Sequence, residues 1–171
     1  MRRKPYGHAH PNQKKQLTVP EMDAIQDFED LLEFLSEHGV RYLIVGGLAF
    51  IYHAKPRFTK DIDIWIDPSP ENVARANTAL SAFGSPALID AARPKEILQI
   101  GVAPNRIDIL LDMEGFPFTR AWENRIEATY GRSPAIWIDL DSLIEIKSAI
   151  NHPRHQEDAR ILRQVRDRDK Q

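Results

Sequence analysis

Two aspartates separated by one residue, in Asp61-Ile62-Asp63-Ile64-Trp65-Ile66-Asp67, are the part of this chain best suited to chemistry. Isoleucine at every second position marks a β-strand, and successive strand residues point to opposite faces. Ile62, Ile64 and Ile66 are then core residues, while Asp61, Asp63, Trp65 and Asp67 share the other face. The α-carbons of Asp61 and Asp63 stand roughly 6 to 7 Å apart on that face. Carboxylates so close repel and raise each other's proton affinity. A divalent cation between them turns the repulsion into binding, and hard oxygen ligands of this kind suit Mg2+ or Mn2+.

A second segment, residues 106–111, repeats the alternation: Ile107, Ile109 and Leu111 face one way and Asp108 the other. Laid beside the first strand, it supplies a third carboxylate. Three carboxylates on neighbouring strands can hold two metal ions about 4 Å apart. Asp67 and Asp112 have the right parity but lie four residues beyond Asp63 and Asp108. At about 3.3 Å per residue they are too far along to join the cluster. A solvated sheet face is the plain alternative, although strands are generally poor in aspartate.

Upstream, the apolar strand Tyr42-Leu43-Ile44-Val45 ends at Gly46-Gly47, and residues 48–54 can form a helix. Glycine lets backbone N–H groups approach a phosphate closely, and a helix N-terminus favours an anion. Gly46 and Gly47 are therefore candidate phosphate binders, with an ordinary turn as the alternative. Arg57, just before the aspartate strand, can meet a phosphate bidentately. Thr59 can fix the same approach loop through local hydrogen bonds. His53 reads as a hydrogen-bonded structural histidine, and His152 and His155 lack partners at zinc-site spacing.

Taken together, these segments resemble the signature of the DNA polymerase β-type nucleotidyltransferase superfamily. The resemblance is carried by Val45-Gly46-Gly47-Leu48-Ala49, His53, and Arg57-Phe58-Thr59-Lys60-Asp61-Ile62-Asp63-Ile64, with residues 106–110 as the third-carboxylate strand. The wording around His53 and Arg57 is similar to AbiEii-type and related small bacterial nucleotidyltransferases, many of which belong to toxin–antitoxin or phage-defence systems. The resemblance implies an α+β fold, a mixed β-sheet with helices mainly on one face. It implies Asp61, Asp63 and Asp108 as catalytic metal ligands for two Mg2+ or Mn2+ ions, with Asp108 also a general base. It implies transfer of a nucleoside monophosphate from an NTP, such as ATP, to an acceptor hydroxyl with release of pyrophosphate. A toxin or antitoxin partner is implied as well. In such relatives a lysine on a helix after the core reaches the triphosphate, a role that falls here to Lys147 in Leu143-Ile144-Glu145-Ile146-Lys147. The chain departs from the pattern at Ala54, where glycine is frequent. It departs again at residues 151–158, which lack a clean Arg-x-Lys-Asp and leave the roles of Arg154 and Asp158 open.

Other elements must hold these residues in place. Ile25, Phe28, Leu31, Leu32 and Leu35 recur at helical spacing from residue 21, with Gly39 as a stop. A helix is expected over residues 70–83. Strands are expected over 96–102 and 106–111, joined as a hairpin at Pro104-Asn105. Residues 119–129 read as helix and 135–139 as a short strand. A helix capped by Asp141-Ser142 runs to about residue 151, and a last helix covers 155–166.

The 171 residues and 42% hydrophobic content fit one domain over residues 21–171. The net charge of −2 argues against a surface that clings to nucleic acid throughout. The absence of cysteine excludes disulfides, thiolate metal sites and cysteine nucleophiles. No apolar run is long enough to span a bilayer and no signal-peptide pattern is present, so a cytoplasmic protein is expected. Residues 1–20 hold five basic residues, three prolines and no acid, and read as a flexible arm. With Tyr6, His8 and His10 among its charges, and with Arg160, Arg163, Arg166 and Arg168 near the other end, the arm suggests RNA, such as a tRNA, as the acceptor. A protein hydroxyl on a partner or a small molecule of the antibiotic type are the other acceptor classes. The small size suggests that an oligomer or partner completes the acceptor site. A non-catalytic nucleotide- or partner-binding module and a metal-dependent phosphodiesterase are the competing readings, the latter disfavoured by the Gly46-Gly47 spacing.

Overall fold

A computed structural model of the chain describes residues 25–171. The basic arm expected over residues 1–20 lies outside the described residues. The elements run α1 (Gln26–Glu37), β1 (Tyr42–Val45), α2 (Gly46–His53), β2 (Asp61–Ile66), α3 (Pro70–Phe83), β3 (Leu98–Ile100), β4 (Arg106–Leu110), α4 (Phe118–Glu123), β5 (Ile126–Tyr130), β6 (Ser133–Trp137), α5 (Leu140–Ala149) and α6 (Pro153–Asp169). The six strands form one mixed sheet in the order β3-β4-β2-β1-β6-β5. β2 pairs antiparallel with β1 and parallel with β4. The architecture is α+β, as expected.

The apolar periodicity of α1 buries Phe28, Leu31, Leu32 and Leu35, and Gly39 takes a positive φ of 63° after the helix. Every residue of β1 is buried, so the strand reads as an unbroken apolar run rather than an alternation. Ile62, Ile64 and Ile66 of β2 are buried as their spacing requires. The other face of β2 changes character along its length. Asp61 and Asp63 are only partly covered, whereas Trp65 is buried. Phe116 and Phe118 meet the Trp65 ring edge-on at 6.3 and 5.1 Å between centroids, and Trp122 stacks on Phe118. The indole N–H donates to the Leu111 carbonyl at 3.3 Å. The strand face that opens as a carboxylate cleft therefore closes as part of the apolar core under α4.

Two local expectations are corrected. Residues 119–129 do not form one helix. α4 ends at Glu123, and Ile126–Tyr130 pair antiparallel with β6. The alternating Ile126, Ala128 and Tyr130, with β-branched and aromatic side chains, suit a pleated strand, and the hairpin register carries β6 back to start at Ser133. The cap of α5 is Asp139, whose carboxylate accepts from the Ser142 N–H at 3.0 Å, rather than Asp141-Ser142. The hairpin at residues 101–105 forms as expected, and α3 spans its expected residues.

Truncating Trp65 to alanine removes a large buried ring and leaves the Leu111 carbonyl without its donor. Trp65→Ala is expected to lower unfolding free energy by about 3–5 kcal/mol in urea denaturation. A loss under about 1 kcal/mol would show that the aromatic packing around Trp65 contributes little.

Candidate active site

The parallel pairing of β2 with β4 builds the site. Its register sets Asp61 opposite Arg106 and Asp63 opposite Asp108. Residues two apart on each strand share a face, so these four side chains form a square on the sheet. Asp61, Asp63 and Asp108 each offer a carboxylate oxygen, and these oxygens lie within 4.8 Å of one another. Among the described residues, Asp67 and Asp112 stand apart from this cluster. Asp67 accepts from the Ser69 N–H at 3.0 Å and pairs with Arg41 at 3.3 Å. Asp112 accepts from the Gly115 N–H.

Burial, and then the charges of Asp61 and Asp108, push the Asp63 carboxyl up to about 7, against the opposing pull of Arg106 and Lys147. Burial also raises Asp108, opposed by its hydrogen bond to Arg106. Asp108 is 6% exposed, and its Oδ1 is buried without a hydrogen-bond partner. A set of converging, mutually repelling carboxylates with an unpartnered buried oxygen fits a divalent cation by its donor chemistry.

β1 delivers the glycines to the same place, because Val45 sits opposite Asp63. α2 begins at Gly46 itself, two residues earlier than expected, with Gly46 at φ 67°. A Cβ on Gly46 would stand 2.1 Å from Asp63 Oδ2, so only glycine lets the chain pass this close to the carboxylate. A Cβ on Gly47 would meet Thr59 Oγ1 at 3.1 Å and Arg57 Nη2 at 3.6 Å. No side chain caps the N-terminus of α2, which leaves its first N–H groups to an anion.

The remaining candidates gather around this turn. Thr59 donates to the Asp61 carbonyl at 3.2 Å and so fixes the approach loop, as its position in the sequence suggests. Arg57 packs its guanidinium over the Phe50 ring at 4.0 Å and binds Asp158 through both Nη atoms. Lys147 is 3% exposed and donates to Asp158 Oδ2 at 2.8 Å. Burial lowers the lysine's proton affinity, which Asp158 opposes. Burial raises Asp158, but its bonds to Arg57 and Lys147 outweigh this and hold it low. His53 bonds the Ile138 carbonyl at 2.7 Å and is structural. His152 accepts from the Arg154 N–H at the start of α6, and the His152 and His155 rings meet edge-on.

Two participants escaped the sequence reading. Arg106 lies in the carboxylate square by the same period-two parity that places Asp108 there, and this was the signal that could have found it. Asp158 was left open because its neighbours in sequence do not match the expected segment. Its partners, Lys147 and Arg57, are 11 and 101 residues away.

The fold is that of nucleotidyltransferases. The solved structure of a lincosamide antibiotic adenylyltransferase, LnuA, bound to lincomycin, matches at TM-score 0.56 and 16% identity over 81% of this chain and 96% of that one. The structure of ANT(2'')-Ia in complex with adenylyl-2''-tobramycin matches at TM-score 0.49 and 15% identity over 79% of this chain and 84% of that one. No protein-family model and no curated protein sequence matches the chain.

The Asp63 shift sets a pH dependence for metal-free protein. Below a pH of about 4 the carboxyl is protonated in both the folded and the unfolded chain. From there up to about 7, the folded chain holds a proton that the unfolded chain has lost. Stability therefore falls as pH rises through this window and levels off above it. In chelator, denaturation midpoints between pH 4.5 and 8 are expected to decline for wild type and to be flatter for Asp63→Asn. Parallel profiles would contradict this origin of the slope.

Removing Asp158 strands a buried lysine. Asp158→Ala is expected to cost about 3–5 kcal/mol in denaturant unfolding. Stability within about 1 kcal/mol of wild type would mean that the cluster is not held by its carboxylate.

Proposed function

We propose that the protein is a metal-dependent nucleotidyltransferase, which moves a nucleoside monophosphate from an NTP to an acceptor hydroxyl and releases pyrophosphate. The observation that carries this reading is the convergence of Asp61, Asp63 and Asp108 within 4.8 Å, with the Gly46 backbone packed against Asp63. A phosphodiesterase needs such carboxylates but not an uncapped glycine helix start beside them. The likeness in fold to an adenylyltransferase supports the same choice.

In this mechanism Asp61, Asp63 and Asp108 hold the divalent cation, Mg2+ or Mn2+, with room in the reading for two ions. A cation bound there supplies Lewis-acid polarisation of the α-phosphate and lowers the proton affinity of the acceptor hydroxyl. The N–H groups at Gly46 and Gly47, which no side chain caps, receive phosphate oxygens. Thr59 keeps the approach loop against Gly47. Arg57 and Lys147, two cations sharing one carboxylate, leave a net positive charge beside the turn for the triphosphate. The acceptor oxygen forms its bond to the α-phosphorus as the bond to pyrophosphate breaks. The hydroxyl proton passes to a carboxylate of the cluster, a role that falls to Asp108.

The acceptor separates three finer readings. RNA rested on the arm outside the described residues and on the arginines of α6. Three of the four are engaged, Arg160 with Glu157, Arg163 with the Ser148 hydroxyl, and Arg166 with Asp141 and Asp167, while Arg168 is exposed. The acidic partners offset part of the positive charge that an RNA surface on α6 would need. A small-molecule hydroxyl is the acceptor class suggested by the lincomycin-bound neighbour. A protein acceptor would accompany the AbiEii-type reading and its toxin or antitoxin partner.

Incubation with each α-labelled NTP and Mg2+, together with cell RNA, cell protein or a panel of lincosamides and aminoglycosides, tests the proposal. Label is expected in one acceptor fraction with wild type, and to fall at least 100-fold with Asp61→Asn or Asp63→Asn, the size expected for lost catalytic electrostatics. NTP binding without any labelled acceptor would favour a binding module. Unchanged labelling in both variants would refute the carboxylate assignment.

A further inference from the structure

Arg106 occupies an unusual place. The strand register sets it directly across from Asp61 and two residues from Asp108 on the same face. Its Nη2 donates to Asp61 Oδ2 and, at 3.0 Å, to Asp108 Oδ2. Among the described residues, its hydrogen bonds go to these two carboxylates alone, and its Nε is buried without a partner. The guanidinium is thus held by the acids of the cluster and by no other hydrogen-bonding group. One third of the side chain is exposed.

Those same two carboxylates belong to the three that converge as a candidate cation site. A guanidinium nitrogen and a divalent ion cannot share an oxygen lone pair. Charge points the same way. Fully ionised, the three carboxylates carry −3, and Arg106 adds +1 to give −2. In the protein without metal, the repulsion that should splay the carboxylates is partly neutralised by an arginine of the chain itself. When a divalent ion takes those oxygens, the arginine loses its hydrogen-bond acceptors and is repelled by the ion at close range. A planar guanidinium released from these carboxylates is suited to phosphate oxygens.

We propose that Arg106 is an internal counter-cation, which bridges Asp61 and Asp108 in the metal-free protein, gives up those oxygens to a divalent ion, and then contacts the phosphates of the bound nucleoside triphosphate. This rests on the reading of Asp61, Asp63 and Asp108 as a divalent-ion site. It adds a function for a residue outside that triad: Arg106 opposes binding of metal alone and favours metal together with nucleotide. The site therefore resists a free ion and fills with the ion and nucleotide as a pair.

The test is Mn2+ titration of the full chain, without nucleotide, by calorimetry at pH 7.5. Arg106→Gln is expected to bind Mn2+ about tenfold more tightly than wild type, the size of one lost charge-assisted hydrogen bond. Lys60→Gln removes the same unit charge from an exposed side chain next to Asp61 and is expected to stay within about twofold of wild type. With Mn2+ saturating, Arg106→Gln is expected to bind a non-hydrolysable NTP analogue about tenfold more weakly. Wild-type-like or weaker Mn2+ binding by Arg106→Gln would overturn the proposal and leave the metal triad standing. Equal tightening in Lys60→Gln would overturn it too, since general charge would then suffice. Failure of both wild type and Arg106→Gln to bind Mn2+ would overturn the triad and this proposal together. If Arg106→Gln does not fold, the wild-type guanidinium reports instead, its 15N signals assigned by their absence in Arg106→Lys. Restricted Nη rotation without metal should become free on adding Mg2+, and an unchanged signal would overturn the displacement.

Discussion

Repulsion among three carboxylates is the constraint around which the rest of this structure is arranged. Asp61, Asp63 and Asp108 converge within 4.8 Å, and Asp63 is raised to about 7 by burial and by its two neighbours. Acids left to themselves would turn outward into water. They are held together because their strands pair for other reasons. Ile62, Ile64, Ile107 and Ile109 on the same two strands are buried, and burying each such side chain contributes about 1.5–3 kcal/mol. The apolar face of the sheet offsets the unfavourable polar face, and the parallel ladder leaves the acids little freedom to separate.

The neighbours of the cluster divide into those that approach it and those that balance it. Gly46 approaches: its missing side chain leaves space that Asp63 Oδ2 fills, and its positive φ turns the chain from β1 into α2. Arg106 balances, with one nitrogen on two carboxylates. Behind Gly47 a second charged group has the opposite excess. Lys147 and Arg57 share the single carboxylate of Asp158. Net negative charge at the aspartates and net positive charge behind the glycines lie on either side of the α2 start, an arrangement complementary to a cation and a polyphosphate bound together.

The Lys147–Asp158–Arg57 cluster also joins distant parts of the chain. Arg57 precedes β2, Lys147 lies in the last turn of α5, and Asp158 lies in α6. Both α5 and α6 pack against α2 as well. The C-terminal helices are thereby tied to the Gly46-Gly47 side of the site. The other end of β2 is closed by Trp65 against Phe116 and Phe118, so the same strand face is polar where ligands would enter and dry where they would not.

Local pattern determined much of this. Period-two alternation was enough to find β2 and β4 and to separate Ile62 and Ile64 from Asp61 and Asp63, because the side-chain direction of a strand depends on parity alone. Helical spacing found α1 and α3, and the dipeptide Gly46-Gly47 after an apolar run located the sharp turn. Residues 119–129 misled because Phe118-Thr119-Arg120-Ala121-Trp122-Glu123 is helical locally, while the strand that follows is set by pairing with β6, a non-local contact. Trp65 was placed with the aspartates by parity, yet only α4 folding over it decided that it is core. The register of β2 against β4, which sets Arg106 across from Asp61, depends on how two strands more than 40 residues apart align. The partnership of Asp158 with Lys147 and Arg57 depends on where α6 docks. Sequence carries the direction in which a side chain points; which charges then face one another is decided by packing between distant segments, and only the tertiary structure contains it.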